Sequence, residues 1–460
     1  MKRITAYTAV LAGMLSAGGC APNGQAGGGE RLFARPEFRA VVREAKAKVF
    51  PSVVYIKCLR ESRETGKKIT EEMAGSGVLI SPAGEVMSNW HVVDKAVEVR
   101  CLLYDGRAMD AKVVGKDKDT DLALLQLKLS RDTGPLPCAK FGDSDKLREG
   151  DFVMAMGAPW GLNRSVSIGI ISCTRRYLPK HSEYSLWLQT DASISPGSSG
   201  GPLVNTEGLL VGINTRGAFG GGDMGFSVPS NTVRFIADQL REHGKVDWSW
   251  TGLQLQALKD FNRNIYFEGD EGVVISATDP ASPAMRAGIR LKDRILKVNG
   301  VPINAEREED LPSARRLLGL LEKGKPAELE IRRDNKVLKV AITPREKGKV
   351  EGDELDCPRW DMTVKTINQF DNPDLYFHRK KGVYVFGVKY PGNASSAGFG
   401  QKDIILKIDG KNVATLEDMK KIHKAAIDNV KTRHRILFVL LRGGLLRQVV
   451  LDFSRDYERE

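Results

Sequence analysis

The sequence predicts a mainly-β chain in which a β-barrel or β-sandwich block is followed by two copies of a smaller unit built from strands and a helix. Three observations lead to this prediction. The chain has 460 residues, which is enough for about three domains. From about residue 50 to residue 230, short strand-like runs alternate with Gly, Pro, Asn and Asp, without helical patterns between them. The C-terminal half contains a stretch that recurs at a constant offset of 110 residues.

The composition is that of an ordinary globular protein. With 41% apolar and 28% charged residues, it excludes a wholly disordered, collagenous or multi-span membrane chain. Lysine and arginine number 70 against 58 acidic residues, and the resulting net charge of +12 is spread along the chain. No zinc-finger, helix-turn-helix or RNA-binding signature accompanies this charge, so we expect no nucleic-acid partner. We also expect no cofactor and no metal, because the sequence has no Walker loop, HExxH motif or CxxC pair.

The N-terminus has the pattern of an export signal over residues 1–20. Two basic residues precede an apolar stretch that is too short to span a bilayer. The string Ala17-Gly18-Gly19-Cys20 that follows resembles a bacterial lipobox, so we expect lipidation of Cys20 and an exported protein of the periplasm or cell envelope. The alternative is plain signal cleavage nearby, with a free thiol at Cys20. Residues 21–34 are rich in glycine and predict a flexible tether.

Residues 35–245 form the first predicted folded domain. Helical patterns at residues 37–48 and 231–243 flank its strand-rich part. Gly244 follows the second helix and is a suitable C-terminal cap, because glycine readily adopts the left-handed conformation that ends many helices.

The repeat divides the rest of the chain into two further units. Eight of the seventeen positions from 287–303 are identical to those from 397–413. A constant offset indicates two copies of one fold unit, which we place at residues 250–345 and 358–456. Residues 346–357 are charged and almost free of apolar side chains, so we predict a linker there.

The candidate nucleophile is Ser199, in the string Gly197-Ser198-Ser199-Gly200-Gly201. A serine hydroxyl attacks well only when a base takes its proton and an acceptor orients that base. Glycines on both sides let the backbone curl so that successive N–H groups converge on one point. The sequence therefore predicts an oxyanion hole formed by the N–H groups of Gly197, Ser198 and Ser199.

The candidate base is His91, since it alone among six histidines follows a strand pattern and a hairpin signal. Asp117, Asp119 and Asp121 alternate before the next strand. Asp121 stands at the start of that strand, where a buried carboxylate can reach a histidine, and we expect the other two to be exposed in the loop. The chain order His91, Asp121, Ser199 is that of the chymotrypsin clan and not that of subtilisins or α/β-hydrolases.

The block from about residue 74 to 230 resembles the HtrA/DegP family of trypsin-fold serine proteases. The matching strings include GSGVLIS at 75, SNWHVVD at 88, QTDASISPGSSGGPLVN at 189 and, further on, GLLVGINT. The resemblance implies a chymotrypsin-like double β-barrel followed by two PDZ-like α+β domains. It also implies that Ser199 is the nucleophile, His91 the general base and Asp121 the residue that orients the base. The family usually has Asn where this chain has Ser198, whose expected role is through its backbone.

The predicted substrate pocket is small and mostly apolar. Ser193 lies six residues before Ser199, where trypsin-fold proteases place the floor of the primary pocket. Because it is not an aspartate, we do not expect cleavage after Lys or Arg. With Ile194, Ile213 and Thr215 as further lining residues, we expect cleavage after Val, Ala or similar residues.

PDZ domains add a peptide strand to a sheet edge and hold its C-terminal carboxylate in a nest of backbone N–H groups. In the first unit we predict that this nest is formed by Thr251, Gly252, Leu253 and Gln254. The second unit lacks the glycine and carries Asp361, whose charge repels a carboxylate. We therefore expect the first unit to bind C-termini, and the second to bind them weakly or to serve assembly.

These expectations combine into a serine endopeptidase of the cell envelope that degrades misfolded or damaged proteins. Its partners are unfolded polypeptides and their C-terminal ends, and its PDZ domains either bind those ends or regulate assembly. The alternative is a catalytically silent chaperone or adaptor that binds peptides. The resemblance further implies homotrimers, or multiples of trimers, built through residues 32–39, and lipid on Cys20 would attach the protein to a membrane.

Overall fold

The computed structural model describes residues 36–159, 164–217, 224–260 and 264–457. The predicted signal segment, Cys20 and the tether lie outside these residues. The described chain begins with helix α1 (Pro36–Val49), and a 3-10 turn follows at Phe50–Ser52. No helix of the described part is both long and apolar enough to cross a bilayer.

The first six strands close into a barrel in the order β1-β2-β3-β6-β5-β4. They are β1 (Val53–Ser62), β2 (Ile69–Leu79), β3 (Glu85–Ser88), β4 (Ala96–Leu102), β5 (Ala108–Asp117) and β6 (Leu122–Leu127). Helix α2 (Trp90–Val93) is a single turn between β3 and β4. Apolar side chains of alternate positions fill the barrel, as the period-2 pattern of its strands predicts.

The next six strands close into a second barrel in the order β10-β11-β12-β9-β8-β7. They are β7 (Phe152–Gly157), β8 (Ser165–Arg176), β9 (Trp187–Thr190), β10 (Pro202–Asn205), β11 (Leu210–Gly217) and β12 (Gly225–Pro229). Helix α3 (Ser230–His243) follows, and Gly244 ends it with φ 69°, which confirms the predicted cap. A shared apolar cluster, with side chains such as Leu124, Ile213 and Ile236, joins the two barrels and α3. The predicted double β-barrel is confirmed.

The first repeat is an α+β unit with one main sheet in the order β14-β17-β18-β20-β21, and β19 pairs with β18. Its helices are α4 (Pro283–Arg286) and α5 (Leu311–Gly319). Its strands are β13 (Ser249–Trp250), β14 (Leu253–Gln256), β15 (Lys259–Asp260), β16 (Ile265–Tyr266), β17 (Val273–Thr278), β18 (Arg294–Val298), β19 (Val301–Pro302), β20 (Ala327–Arg333), β21 (Lys336–Ile342) and β22 (Arg345–Glu346).

The second repeat has the same architecture, with the sheet order β23-β24-β25-β26-β28-β29 and β27 paired with β26. Its helices are α6 (Pro373–His378), α7 (Asn393–Ser396) and α8 (Leu416–Asp428). Its strands are β23 (Glu354–Cys357), β24 (Met362–Thr366), β25 (Val383–Val388), β26 (Ile404–Ile408), β27 (Lys411–Asn412), β28 (Arg435–Arg442) and β29 (Leu445–Asp452). Helix α8 starts with a capping box between Thr415 and Asp418, which satisfies backbone N–H groups of its first turn.

An ion pair between a buried aspartate and a more exposed arginine recurs in the two repeats. The carboxylate of Asp293 contacts Arg333 at 2.6 Å in the first repeat, and Asp403 contacts Arg442 at 2.6 Å in the second. Each aspartate is almost completely buried, so each needs its arginine to offset the loss of hydration. The aspartates are 110 residues apart and the arginines 109, so the pair occupies the same place in both copies of the fold unit.

The linker prediction over residues 346–357 needs a correction at both ends. Glu346 belongs to β22, and Glu354–Cys357 form β23, which pairs with β24 in the second repeat. Local composition suggested a linker, but the pairing with β24 supplies backbone hydrogen bonds that four consecutive residues cannot provide alone.

Five cysteines lie in the described chain, and all five carry free thiols: Cys58, Cys101, Cys138, Cys173 and Cys357. Burial raises the pKa of the Cys58 thiol to about 12, so this thiol stays protonated and unreactive at neutral pH.

Candidate active site

The predicted site residues lie on loops at the junction of the two barrels. His91 is in the one-turn helix α2 of the first barrel, and Asp121 directly precedes β6. Ser199 lies in the turn that leads into β10 of the second barrel. This is the setting in which a rigid scaffold positions loop residues for function.

His91 and Asp121 form a close pair. The imidazole Nδ1 of His91 lies 2.9 Å from Oδ1 and 2.8 Å from Oδ2 of Asp121, and the backbone N–H of His91 donates to Oδ1 at 3.1 Å. The side chain of Asp121 is only 8% exposed, whereas that of His91 is 34% exposed. A buried carboxylate that accepts the Nδ1 proton fixes the ring and its tautomer, which leaves Nε2 as the nitrogen able to take a proton.

A buried asparagine connects this pair to the second barrel. Asn89 donates from Nδ2 to the carbonyl of Asp121 at 2.9 Å and to Oγ1 of Thr215 at 3.0 Å. Thr215 in turn accepts, through its carbonyl, the hydroxyl of Ser199 at 2.7 Å. Asp121 and Ser199 are therefore linked through two intervening residues. Sequence reasoning missed Asn89, although it lies two positions before the candidate base.

The hydroxyl of Ser199 is directed at Thr215 and not at the histidine. Both Ser199 and His91 belong to the described chain, and no hydrogen bond joins them there. The structure thus brings together the predicted base and its orienting carboxylate, and it places the predicted nucleophile in the same cleft with its hydroxyl turned toward a different acceptor.

The turn around Ser199 depends on glycine. Gly197 and Gly200 both have positive φ values, 91° and 87°. A Cβ atom on Gly200 would lie 2.1 Å from the carbonyl oxygen of Ser76, so a larger residue would displace the turn.

Ser76 holds this turn from the first barrel. Its hydroxyl donates to the carbonyl of Gly197 at 2.7 Å, and its N–H donates to the carbonyl of Ser199 at 2.8 Å. Both carbonyls are thereby turned toward Ser76. Sequence reasoning used the string around Ser76 as a hairpin signal but did not assign this residue a role.

The predicted oxyanion hole needs a correction at Ser198. The N–H of Ser198 donates to the carbonyl of Ser195 at 2.9 Å, so in this conformation it cannot also donate to a negative oxygen of the substrate. Within the described residues, no acceptor is found for the N–H groups of Gly197 and Ser199. These two donors are the ones that can hold a developing negative charge.

Of the predicted pocket residues, Ile194 packs against the backbone of β12. Its side chain fills the space beside Gly225, where a Cβ atom would lie 2.6 Å from the Ile194 Cδ1. The carbonyl of Ser193 accepts the hydroxyl of Ser167 at 2.7 Å. Ile213 and Thr215 are buried: Ile213 belongs to the apolar cluster between the barrels, and Thr215 directs its hydroxyl toward Asn89.

Two side chains that sequence reasoning missed, Arg216 and His181, lie beside the His91–Asp121 pair. Arg216 Nη2 lies 3.9 Å from Oδ2 of Asp121, and Arg216 Nη1 lies 3.2 Å from Nε2 of His181. Burial, and then the charge of Arg216, lower the pKa of His181, so His181 is neutral at neutral pH. The positive charge beside the carboxylate is therefore that of Arg216.

The other two aspartates of the segment differ from the expectation of exposure. Asp117 is buried and accepts the indole N–H of Trp248 at 3.1 Å, so its predicted exposure is wrong. Burial, and then the neighbouring charge of Asp119, raise the pKa of Asp117 to about 7. Asp119 is partly exposed and forms an ion pair with Lys347 at 2.7 Å.

The first repeat has an open groove where a peptide-carboxylate nest was predicted. Gly252 has φ 73°, and a Cβ there would lie 2.1 Å from the Cβ of Ser282, so the turn requires glycine. Strand β14 pairs with β17 on one side and is an edge strand of its sheet on the other. A cavity of about 440 Å³ lies along this edge, lined in part by the predicted Thr251, Gly252, Leu253 and Gln254 together with Leu318 of α5. The geometry suits an added peptide strand.

Comparisons with known proteins agree with this geometry. Residues 75–213 match the family model of the trypsin-like peptidase domain, and residues 222–343 match that of the PDZ domain. A probable periplasmic serine endoprotease DegP-like of Marinomonas sp. (strain MWYL1) is 36% identical over 76% of this chain and 74% of its own length. A protein of the same description from Pseudomonas savastanoi pv. phaseolicola is 34% identical over 79% of this chain and 76% of its own.

Solved structures give the same result. The HtrA-type protease AlgW with tripeptide has a TM-score of 0.58 and 29% identity, and the match covers 67% of this chain and 97% of that one. The serine endoprotease from Yersinia pestis has a TM-score of 0.52 and 29% identity, over 66% of this chain and 97% of that one.

Substitution of Gly200 by alanine tests the packing of the turn. The methyl group would meet Ser76 at a distance that no Cβ tolerates, so we expect Gly200→Ala to lose labelling of the chain by a fluorophosphonate, a reagent that marks activated serines. Gly150→Ala is the matched control, because Gly150 also has positive φ but has nothing within 4 Å of the new methyl group. The control should lose about 1–2 kcal/mol of folding free energy and keep its labelling rate. Equal labelling of both variants would contradict the packing argument.

Proposed function

The chain belongs to the family of DegP-like periplasmic serine endoproteases and is a serine endopeptidase, and we propose that Ser199, His91 and Asp121 are its catalytic triad. The observation that supports this assignment most directly is the contact of His91 Nδ1 with both carboxylate oxygens of Asp121. In the proposed reaction, Ser199 attacks the scissile carbonyl carbon while Nε2 of His91 takes its proton. The same proton then passes to the leaving amine, and water releases the acyl-enzyme.

Catalysis requires the hydroxyl of Ser199 to leave the carbonyl of Thr215. A neutral hydrogen bond of this kind contributes about 1 kcal/mol net, so rotation of the serine side chain toward His91 costs little. The negative oxygen that forms on attack is held by the N–H groups of Gly197 and Ser199. The conformation with Ser199 bonded to Thr215 is thus a resting arrangement of the site.

We propose that the substrates are misfolded or damaged polypeptides of the cell envelope. The open edge of β14 and the left-handed turn at Gly252 support capture of C-terminal peptides by the first repeat. The alternative function, a silent chaperone or adaptor, is favoured by one observation, the bond that turns Ser199 away from His91. A Ser199→Ala variant distinguishes the two functions. A protease would lose its hydrolysis of casein, whereas a silent chaperone has no such hydrolysis to lose.

Asparagine substitutions test the role of Asp121. Asp121→Asn keeps the shape but offers an amide to His91, which favours the wrong tautomer, so casein hydrolysis should fall by about 10⁴ in kcat. Asp119→Asn makes the same chemical change two residues away, at a side chain paired with Lys347, and should retain most of the activity. Hydrolysis of fluorescent casein is the measurement. Equal losses of casein hydrolysis in both variants would contradict a specific role for Asp121 in catalysis.

Truncation of Ile194 tests the substrate pocket. The chain should cleave after Val, Ala and similar residues, and Ile194→Ala should shift the preference toward larger apolar residues such as Leu and Met. The space vacated beside Gly225 should favour the larger side chain by about 1–3 kcal/mol. The ratio of kcat/KM for cleavage after Leu to that for cleavage after Val should then rise at least about tenfold. Digestion of a peptide library by both proteins measures this ratio. Dominant cleavage after Lys or Arg would contradict the proposed pocket.

We also propose that lipid on Cys20 anchors the periplasmic protein to a membrane and that three chains associate through residues 32–39. Both segments lie wholly or partly outside the described residues. Fractionated cells should contain the full chain in the membrane fraction and Cys20→Ser in the soluble fraction, and sedimentation of the soluble variant should give the mass of three chains. An unchanged distribution would rule out the lipid, and a monomeric mass would rule out the trimer.

A further inference from the structure

The two repeats differ at the sheet edge where a PDZ domain receives its peptide. In the first repeat, β14 is an edge strand with an open groove beside it. In the second repeat, the corresponding strand β24 lies inside the sheet, because β23 (Glu354–Cys357) pairs with its outer side. The second groove is therefore filled by a segment of the chain itself.

The register of the strands shows that β14 and β24 are equivalent. Leu253 of β14 pairs with Thr278 of β17, and Met362 of β24 pairs with Val388 of β25. Both strands shift register after their second residue, at the same place in the repeat. The edge that β23 covers is thus the same edge that is open in the first repeat.

The segment β23 is bound as a peptide ligand would be. It runs antiparallel to β24, with Leu355 opposite Val364 and Cys357 opposite Met362. Helix α8 packs against it from the other side, as the groove helix of such a domain would against a peptide. Cys357 is completely buried in the core of the repeat, and Leu355 packs against that core. Alternate side chains thus enter the groove, which is the pattern of strand addition.

Ion pairs of Glu354 hold the start of β23 in place. Glu354 lies opposite Lys365 across the strands, with 3.5 Å between the charged atoms, and 2.7 Å from Nζ of Lys95 in the first barrel. The side chain of Glu354 is only 9% exposed, so removal of its charge would leave two cations without this partner. The pKa of Lys365 is raised: its burial acts to lower the pKa, and ion pairs with Asp371 and Glu354 outweigh that effect.

Asp361 lies at the turn before β24, where the second repeat differs from the first. Asp361 has φ 55° and occupies the left-handed position of Gly252 in the first repeat. Its Oδ2 accepts the backbone N–H of Asn393 at 2.8 Å, and its Oδ1 lies 3.1 Å from Nζ of Lys389. The sequence suggested that Asp361 would simply repel a carboxylate. In the structure it is buried, and its charge is paired with Lys389 inside the repeat.

In the first repeat, the residues before the nest take a different path. Trp248, which precedes the nest there, stacks on Tyr184 of the second barrel with ring centroids 3.9 Å apart. The chain before the first repeat is therefore held on the protease domain and does not enter its own groove. The first groove is therefore not filled by the segment before it, although Pro373, Tyr376 and Phe377 of the second repeat are among its lining residues.

We propose that the groove of the second repeat is a peptide-binding site whose ligand is Glu354–Cys357 of the same chain, bound by strand addition without a terminal carboxylate. Each chain then offers one groove, that of the first repeat, to foreign C-termini. Because Glu354 also contacts Lys95, the bound segment fastens the second repeat to the first barrel. This inference goes beyond the proposed proteolysis and does not depend on the triad.

Hydrogen exchange of the full chain tests this proposal. The Ser199→Ala protein is used so that added peptides are not cleaved. The outward N–H groups of β24 should exchange at least about 100-fold more slowly than those of β14, because β23 bonds them. An added peptide with a free C-terminal carboxylate should slow exchange in β14 alone. Equally fast exchange in β14 and β24 would overturn the proposal.

A proline variant tests whether the segment acts as a ligand. Leu355→Pro, made in the Ser199→Ala protein, removes a donor from β23 and should free the groove. The probe is a C-terminally amidated peptide that copies residues 352–358, so it lacks the C-terminal carboxylate that the nest of the first repeat would hold. It should bind the variant one to one, and should bind at least about tenfold more weakly to the unchanged chain and to the control Val350→Pro, which lies before the strand. A variant with β28 and β29 still protected from exchange that fails to bind the probe would overturn the proposal. If those strands lose protection, the exchange comparison in the unchanged chain decides the question.

Discussion

The hydrogen bonds between His91 and Asp121 are the constraint on which the active site depends. They fix the imidazole in a single orientation, and Asn89 ties the backbone of Asp121 to Thr215 in the second barrel. The two barrels therefore cannot separate at this cleft without breaking buried polar contacts, which are costly to leave unsatisfied. Ser76 adds a second tie, from the first barrel to the turn that carries Ser199. The site is thus a property of the interface between the barrels and of neither barrel alone.

The same β-sheet edge has two different uses in the repeats. In the first repeat the edge is open beside a turn that requires Gly252, and in the second it is covered by the chain before it. A single difference explains the contrast: the segment before the first repeat packs on the protease domain, whereas the segment before the second enters the groove. The same fold unit can therefore bind a foreign peptide in one copy and attach the chain to the first barrel in the other.

Much of this structure was predictable from the sequence, because strong local signals coincide with the fold. The glycine turn at Ser199 and the cap at Gly244 each have a short-range physical cause, and the 110-residue repeat is visible directly as recurring residues. What sequence reasoning missed depends on long-range contacts: Asn89 and Arg216 acquire their roles only when the two barrels meet. The strand at Glu354–Cys357 was missed because its composition is that of a linker, and its order comes from β24 and α8. The direction of the Ser199 hydroxyl is a rotamer choice, on which sequence pattern carries no information.

We propose that Ser199 turns from the carbonyl of Thr215 to the imidazole of His91 when it reacts. A crystal structure of the chain after reaction with a peptidyl phosphonate measures this most directly. We expect phosphorus bonded to Oγ of Ser199, with a phosphonate oxygen about 2.7–3.1 Å from the N–H groups of Gly197 and Ser199. An unmodified Ser199 still bonded to Thr215, or an adduct on a different serine, would contradict it.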